Sequence, residues 1–220
     1  MSKRIVFDFA GVLFTWQPLA LLQQVLPQHA TDAVSAAHWA AQIFQSYGGD
    51  WAEFDRGTVE PEALVERIAK RTGLALGEVQ AVVDAVPLAL QPVPETVALL
   101  ERLRALGPPL FYLSNMPASY ADHLERCNPF LQQFDDGVIS ARVQLIKPEP
   151  AIFALAAQRF GVAPADLVFL DDVPANVDAA RAAGWQALPF SDAAQAEADL
   201  RALGWWPYAR GLAQPAPDRR

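Results

Sequence analysis

Residues 166–184 read DLVFLDDVPANVDAARAAG. Leu167 to Leu170 are continuously apolar, as a strand covered on both faces must be. The run stops at two carboxylates, Asp171 and Asp172. ANVDAARAAG then carries helical spacing up to Gly184, where a helix needs a left-handed terminating residue. A strand, an acidic turn and a helix form half of a parallel crossover unit.

Working outward, the same alternation holds from Pro92 onward. PETVALLERLRALG, ASYADHLERC, EPAIFALAAQRFG and DAAQAEADLRALG read as helices. PLFYLS, a short GVIS and WQALPF read as strands, and RIVFDF at residues 4–9 supplies the first one. The predicted class is α/β: a doubly wound, Rossmann-like parallel sheet of about five strands. Residues 17–91 break the alternation. LALLQQVL, DAVSAAHWAAQIFQSY, PEALVERIAKRTG and LGEVQAVVDAVPLAL have helical periodicity, with Pro and Gly at the joints. Arg56-Gly57 reads as one such joint, with Pro61 in the first turn of the next helix. The expected organisation is a core of residues 1–16 and 92–206, a helical insertion over 17–91, and a disordered Pro-, Ala-, Gly- and Arg-rich tail over 207–220.

Composition narrows the function. Of 220 residues, 52% are hydrophobic and 19% charged, so a core can form and wholesale disorder is excluded. A net charge of −8 argues against nucleic acid and anionic membranes as partners, so any anion must be held by a local site. The single cysteine, Cys127, excludes an internal disulfide and a thiolate cluster, and points to a reducing compartment. Lys3 and Arg4 before an apolar run look like the start of a signal peptide, but Asp8 interrupts the run and no cleavage site follows. No apolar stretch reaches the length of a membrane span. The expected location is cytoplasmic, and the sequence leaves the oligomeric state open.

Ligands of an open parallel sheet bind at the carboxyl ends of its strands. The polar residues there are Asp8, Ser114 with Asn115, Lys147, and Asp171 with Asp172. Asp8 and the acid pair offer hard oxygen ligands suited to Mg²⁺, which takes one or two carboxylates together with water and substrate phosphate. Ser114 and Lys147 offer a hydroxyl and a positive charge for a phosphoryl group beside a carboxylate nucleophile.

The order DFAGV at 8–12, LSN at 113–115, KP at 147–148 and DDVPAN at 171–176 resembles the haloacid dehalogenase-like hydrolase superfamily, over roughly residues 3–205. The resemblance implies a phosphatase-type member with a helical cap after the first motif. It makes Asp8 the nucleophile that becomes phosphorylated and the Ala10 carbonyl a metal ligand. Asp172 would bind Mg²⁺ directly, and Asp171 through water or as a second direct ligand. Ser114 and Lys147 would grip the phosphoryl group, with Asn115 beside it, and Asn115 and Asn176 would orient the shell. The usual second aspartate of the first motif, which protonates the leaving group, is Ala10 here. Losing general acid catalysis costs about 10²–10⁴-fold unless another group substitutes. Two alternatives stay open beside phosphate chemistry on a small phosphorylated metabolite: a metal-independent 2-haloacid dehalogenase, and a catalytically weak binding protein. The retained acid pair tilts the reading toward the phosphatase.

Each signal has a plainer reading. Ser114-Asn115 alone suits a turn or cap, Lys147 a solvated loop, and an acid pair before a helix a capping cluster; it is the four in order that make a site. Cys127 reads as a small buried or half-buried hydrophobe without a companion histidine. His29, His38 and His123 lack metal-ligand spacing. Trp16, Trp39, Tyr47 and Trp51 read mainly as core, with one or two of them lining the pocket.

Overall fold

The computed structural model describes residues 3–206, so the tail expected over 207–220 lies outside the described residues. Five parallel strands, β1 (Arg4–Phe7), β2 (Leu110–Ser114), β3 (Asp136–Ile139), β4 (Leu167–Asp171) and β5 (Gln186–Pro189), lie in the order β3-β2-β1-β4-β5. Strand period two sends alternate side chains to opposite faces. Val168 and Leu170 join one apolar cluster, and Leu167 and Phe169 join the other. Both faces are therefore covered, which is why the strands read as unbroken apolar runs. In β1, Phe7 is level with Tyr112 of β2 and Leu170 of β4. The carboxylates that follow, Asp8 and Asp171, thus emerge side by side at the middle of the sheet.

Five helices enter after β1: α1 (Pro18–Val25), α2 (Ala33–Phe44), α3 (Gly49–Arg56), α4 (Pro61–Thr72) and α5 (Leu76–Ala89). The core helices are α6 (Pro94–Leu106), α7 (Ala118–Cys127), the one-turn α8 (Ser140–Val143), α9 (Pro150–Phe160), α10 (Pro174–Ala182) and α11 (Ala193–Ala202). α6 and α11 cover one face of the sheet, α9 and α10 the other. The chain leaving the sheet and the chain returning to it run side by side: Val93 N–H donates to the Leu13 carbonyl and Thr15 N–H to that of Gln91.

Two local departures from the sequence reading concern this insertion. The helix expected to continue to Tyr47 ends at Phe44, because Gln45, Ser46 and Tyr47 take positive φ values of 50°, 52° and 61°. Left-handed backbone at a non-glycine residue costs roughly 1–2 kcal/mol, and it ends the helix here. The segment read only as a joint contains α3, closed at Gly57. Gly57 has φ +77°, and a Cβ there would lie 2.7 Å from the Ala141 carbonyl oxygen, so only glycine lets α3 approach α8 so closely.

Edge-to-face aromatic contacts seat the insertion on the core: Phe44 to Trp51 at 4.6 Å, Trp51 to Phe54 at 5.8 Å and Phe54 to Tyr120 of α7 at 5.6 Å. Such pairs are worth about 0.5–1.5 kcal/mol each beyond their burial. The Tyr120 hydroxyl then donates to the Val83 carbonyl of α5 at 2.6 Å. Cys127 is corrected: it ends α7 exposed, not buried, and its Sγ lies 3.8 Å from Nε2 of His123 one turn earlier. Among the described residues no helix is long and apolar enough to cross a membrane.

Candidate active site

Asp8 follows the central strand and is buried, with its carboxylate accepting from its neighbour's N–H (Phe9, 2.7 Å). Lys147 reaches it from the loop after α8. The Lys147 ammonium is also buried and lies 2.9 Å from Asp8 Oδ1 and 2.7 Å from Asp171 Oδ2, and it donates to the Leu113 carbonyl at 3.1 Å. Asn115 fixes the lysine's backbone from both sides: its Nδ2 donates to the Lys147 carbonyl at 2.9 Å, and its Oδ1 accepts the Lys147 N–H at 2.8 Å.

Asp171 is fully buried and fully engaged. Besides Lys147 it accepts from Val173 N–H at 2.8 Å and from Asn176 Nδ2, 3.1 Å from each oxygen. Asp172 differs: it is exposed and lines the same cavity as Asp8. It closes over the backbone after Asp8, where Gly11 has φ +83° and a Cβ would fall 2.2 Å from Asp172 Oδ2. Glycine at 11 is thus a condition for bringing the last acid of the motif to the first.

Asp8, Asp171 and Asp172 place carboxylate oxygens within 4.8 Å of one another, and no other such acid, histidine and cysteine group occurs among the described residues. Three carboxylates face one ammonium. Burial pushes the Asp8 carboxyl up to about 8; Lys147 pulls against this, while Asp171 and Asp172 add to it. Burial, then Asp171, raises Asp172 as well. For Lys147, burial works against the charge, but Asp171 and Asp8 outweigh it and hold the ammonium above its ordinary range. The cluster has surplus negative charge and hard oxygen donors, which fits a divalent cation such as Mg²⁺. The Ser114 hydroxyl at the end of β2 is buried without a hydrogen-bond partner, an open donor in the same layer.

The cluster opens into a cavity of about 280 Å³ between sheet and insertion. Asp8, Ala10, Asn115, Lys147, Asp172 and Asn176 line its floor, whereas Ser114 stays behind the wall. Trp16, Tyr47, Trp51, Val86 and Leu90 line the roof, and Trp16 Nε1 donates to the Tyr47 hydroxyl at 2.6 Å. Three of the four singled-out aromatics therefore face the cavity. Trp39 instead makes edge-to-face contacts with the rings of His29 and His38.

All the residues singled out at the strand ends come together here, with Asn176 from α10. Sequence reasoning missed Asp55, a buried acid of α3 in the cavity roof. Burial pushes its carboxyl up to about 8 against the pull of Lys147. It also missed the tie that places α3: Ser140 Oγ donates to the Asp55 carbonyl at 2.5 Å and accepts Met116 N–H at 2.8 Å.

Known proteins bear on this geometry. A sesquiterpene phosphatase of Aspergillus oryzae is 27% identical over 201 residues, covering 91% of this chain and 96% of that protein. A haloacid dehalogenase family enzyme of Bacteroides thetaiotaomicron, solved with magnesium and inorganic phosphate, has a TM-score of 0.68 at 19% identity, covering 87% of this chain and 96% of that one. An L-2-haloacid dehalogenase has a TM-score of 0.65 at 24% identity, over 99% and 92% of the two chains. At such identity these two structures speak for the fold alone. The family model for haloacid dehalogenase-like hydrolases matches residues 3–184, spanning the first strand, the helical insertion and every residue of the buried cluster; the chain belongs to that family.

Proposed function

We propose that the protein is a Mg²⁺-dependent phosphatase that hydrolyses a small phosphomonoester through an aspartyl-phosphate on Asp8. The observation that carries this reading is the buried Asp8–Lys147–Asp171 cluster, with Asp172 beside it, opening into one cavity. Asp8, the Ala10 carbonyl and Asp172 would hold the cation. Asp171 would act on it through water, since protein donors already occupy both its oxygens. When bound, Mg²⁺ supplies the positive charge that lets a phosphoryl dianion approach three carboxylates.

Lys147 steadies the Asp8 carboxylate and faces the phosphoryl oxygens; the unpaired Ser114 hydroxyl, buried behind the cavity wall, would have to turn toward that group to act as a second donor. Asn115 sets the lysine's position and Asn176 that of Asp171. Asp8 attacks phosphorus, the alcohol leaves, and water then opens the acyl-phosphate to release inorganic phosphate. The roof of Trp16, Tyr47, Trp51, Val86 and Leu90 excludes water and suits an organic portion that is largely apolar. Similarity to a sesquiterpene phosphatase over nearly the whole chain supports the same class.

The test is a screen of apolar and polar phosphomonoesters with Mg²⁺ or chelator, paired with halide release from 2-haloacids. Mg²⁺-dependent phosphate release that Asp8→Asn abolishes is the expected result. Halide release in chelator, without phosphatase activity, would transfer the assignment to the dehalogenase reaction.

A further inference from the structure

We propose that Asp55, carried by the insertion, is the general acid and base that the first motif lacks at Ala10. This rests on the phosphatase reading and names a catalytic residue for it. Ala10 offers no proton, yet it lines the same cavity as Asp55. Asp55 is the one acid contributed to that cavity by the roof, opposite Asp8 and Asp172 on the floor. The organic portion of a phosphomonoester attacked by Asp8 must occupy the space between floor and roof, so its bridging oxygen faces the insertion.

Three consecutive residues hold Asp55 over the core. Its own carbonyl accepts from Ser140 Oγ, the atom that also accepts Met116 N–H two residues after Ser114. Arg56 forms a two-pronged ion pair with Glu149, Nη1 to Oε2 at 2.8 Å and Nη2 to Oε1 at 2.6 Å, two residues after Lys147. Gly57 lies against the Ala141 backbone. α3 is thus fastened to the segments that carry Ser114 and Lys147, which is what a proton donor needs to keep its aim. The charged and titratable groups near the carboxyl are Lys147, Tyr47 and Tyr120, with Asp8 and Asp172 across the cavity. Burial keeps the Asp55 carboxyl protonated up to about pH 8, so it holds a proton to give at neutral pH.

In the first step the Asp8 carboxylate oxygen bonds to phosphorus as the bond from phosphorus to the alcohol oxygen breaks, and the Asp55 proton goes to that oxygen. In the second, the Asp55 carboxylate takes a proton from the water that attacks phosphorus. The Asp8–phosphoryl bond breaks, phosphate leaves, and Asp55 is protonated again.

The experiment compares an alkyl phosphate with p-nitrophenyl phosphate, whose acidic leaving group departs without a proton, using full-length protein with Mg²⁺. Asp55→Asn should lower kcat/KM, which ends at phosphorylation of Asp8, by about 10²–10⁴-fold on the alkyl phosphate and by less than about 10-fold on p-nitrophenyl phosphate, while kcat falls on both through the shared hydrolysis of the aspartyl-phosphate. Asp55→Glu should recover part of the loss, and Ala10→Asp in the Asp55→Asn background should restore alkyl turnover. In the unmodified protein, the ratio of alkyl to p-nitrophenyl kcat/KM should fall above about pH 8. Titration of Asp8 and Lys147 affects both substrates and cancels in that ratio. Equal losses of kcat/KM on both substrates with a flat ratio would overturn the assignment while leaving the phosphatase reading intact. Activity on neither substrate, or full activity in Asp8→Asn, would overturn the phosphatase reading itself.

Discussion

Asp55 should make folding stability depend on pH in a direction opposite to that of an ordinary acid. Its carboxyl titrates near 3.8 when unfolded and is pushed up to about 8 by burial in the folded protein. A raised folded value means that the contribution is fully present below about pH 4. It is lost as pH rises toward 8, because the unfolded chain ionises while the folded one cannot. Each pH unit is worth about 1.4 kcal/mol, so the window of about four units amounts to about 5–6 kcal/mol. Asp55→Asn has nearly the same shape and no titration. Burying an amide adds a constant offset, so the slope is the informative quantity. For a chain of this size about 2–4 °C of Tm corresponds to each kcal/mol. The Tm of the variant minus that of the parent, measured by calorimetry in chelator at fixed ionic strength, should therefore climb by about 10 to 20 °C between pH 4 and 8. Asp8, also raised by burial, is common to both proteins and drops out. A difference that stays flat across the window would refute the burial argument.

Two further substitutions probe the floor of the cavity. Gly11→Ala forces a methyl group into the space of the Asp172 carboxylate at a backbone φ of +83°, and should cost about 1–3 kcal/mol in denaturant unfolding along with most of the Mg²⁺ response of activity. Unchanged stability would mean that the loop relaxes freely. Asp172→Ala removes the exposed acid and leaves the buried Lys147–Asp171–Asn176 bonds in place. It should fold normally by circular dichroism yet lose Mg²⁺-dependent turnover, and full activity would move the metal role elsewhere.

The parallel sheet and its rim were legible because they rest on short-range rules. Buried parallel strands are written as apolar runs, and the polar residue that ends each run marks the carboxyl edge; Asp8, Ser114 and Asp171 follow directly. The family resemblance supplied the roles, which spacing alone could not. The roof was less legible. α3, GDWAEFDR, spans only eight residues with four charges, too short and too polar to announce a buried face. Its burial comes from Trp51 and Phe54 packing on Phe44 and Tyr120, contacts between segments distant in sequence. Nothing in the sequence around Asp55 marks it as buried until that packing is known. Cys127 was misplaced for the converse reason. Leu124, not Cys127, carries the apolar stripe at the end of α7, and the helix turns the thiol outward. The turn at Gln45–Tyr47 carries no glycine or proline, so nothing local marks where α2 stops.

The central claim is that Asp8 becomes covalently phosphorylated. The most direct measurement is rapid acid quench of the enzyme during turnover of p-nitrophenyl phosphate with Mg²⁺, followed by mass spectrometry of the peptide containing residues 4–12. The account predicts one added phosphoryl group on Asp8, formed within the first turnover, lost on return to neutral pH and absent in Asp8→Asn. Steady phosphate release with that peptide never modified, or modified at another residue, would contradict it.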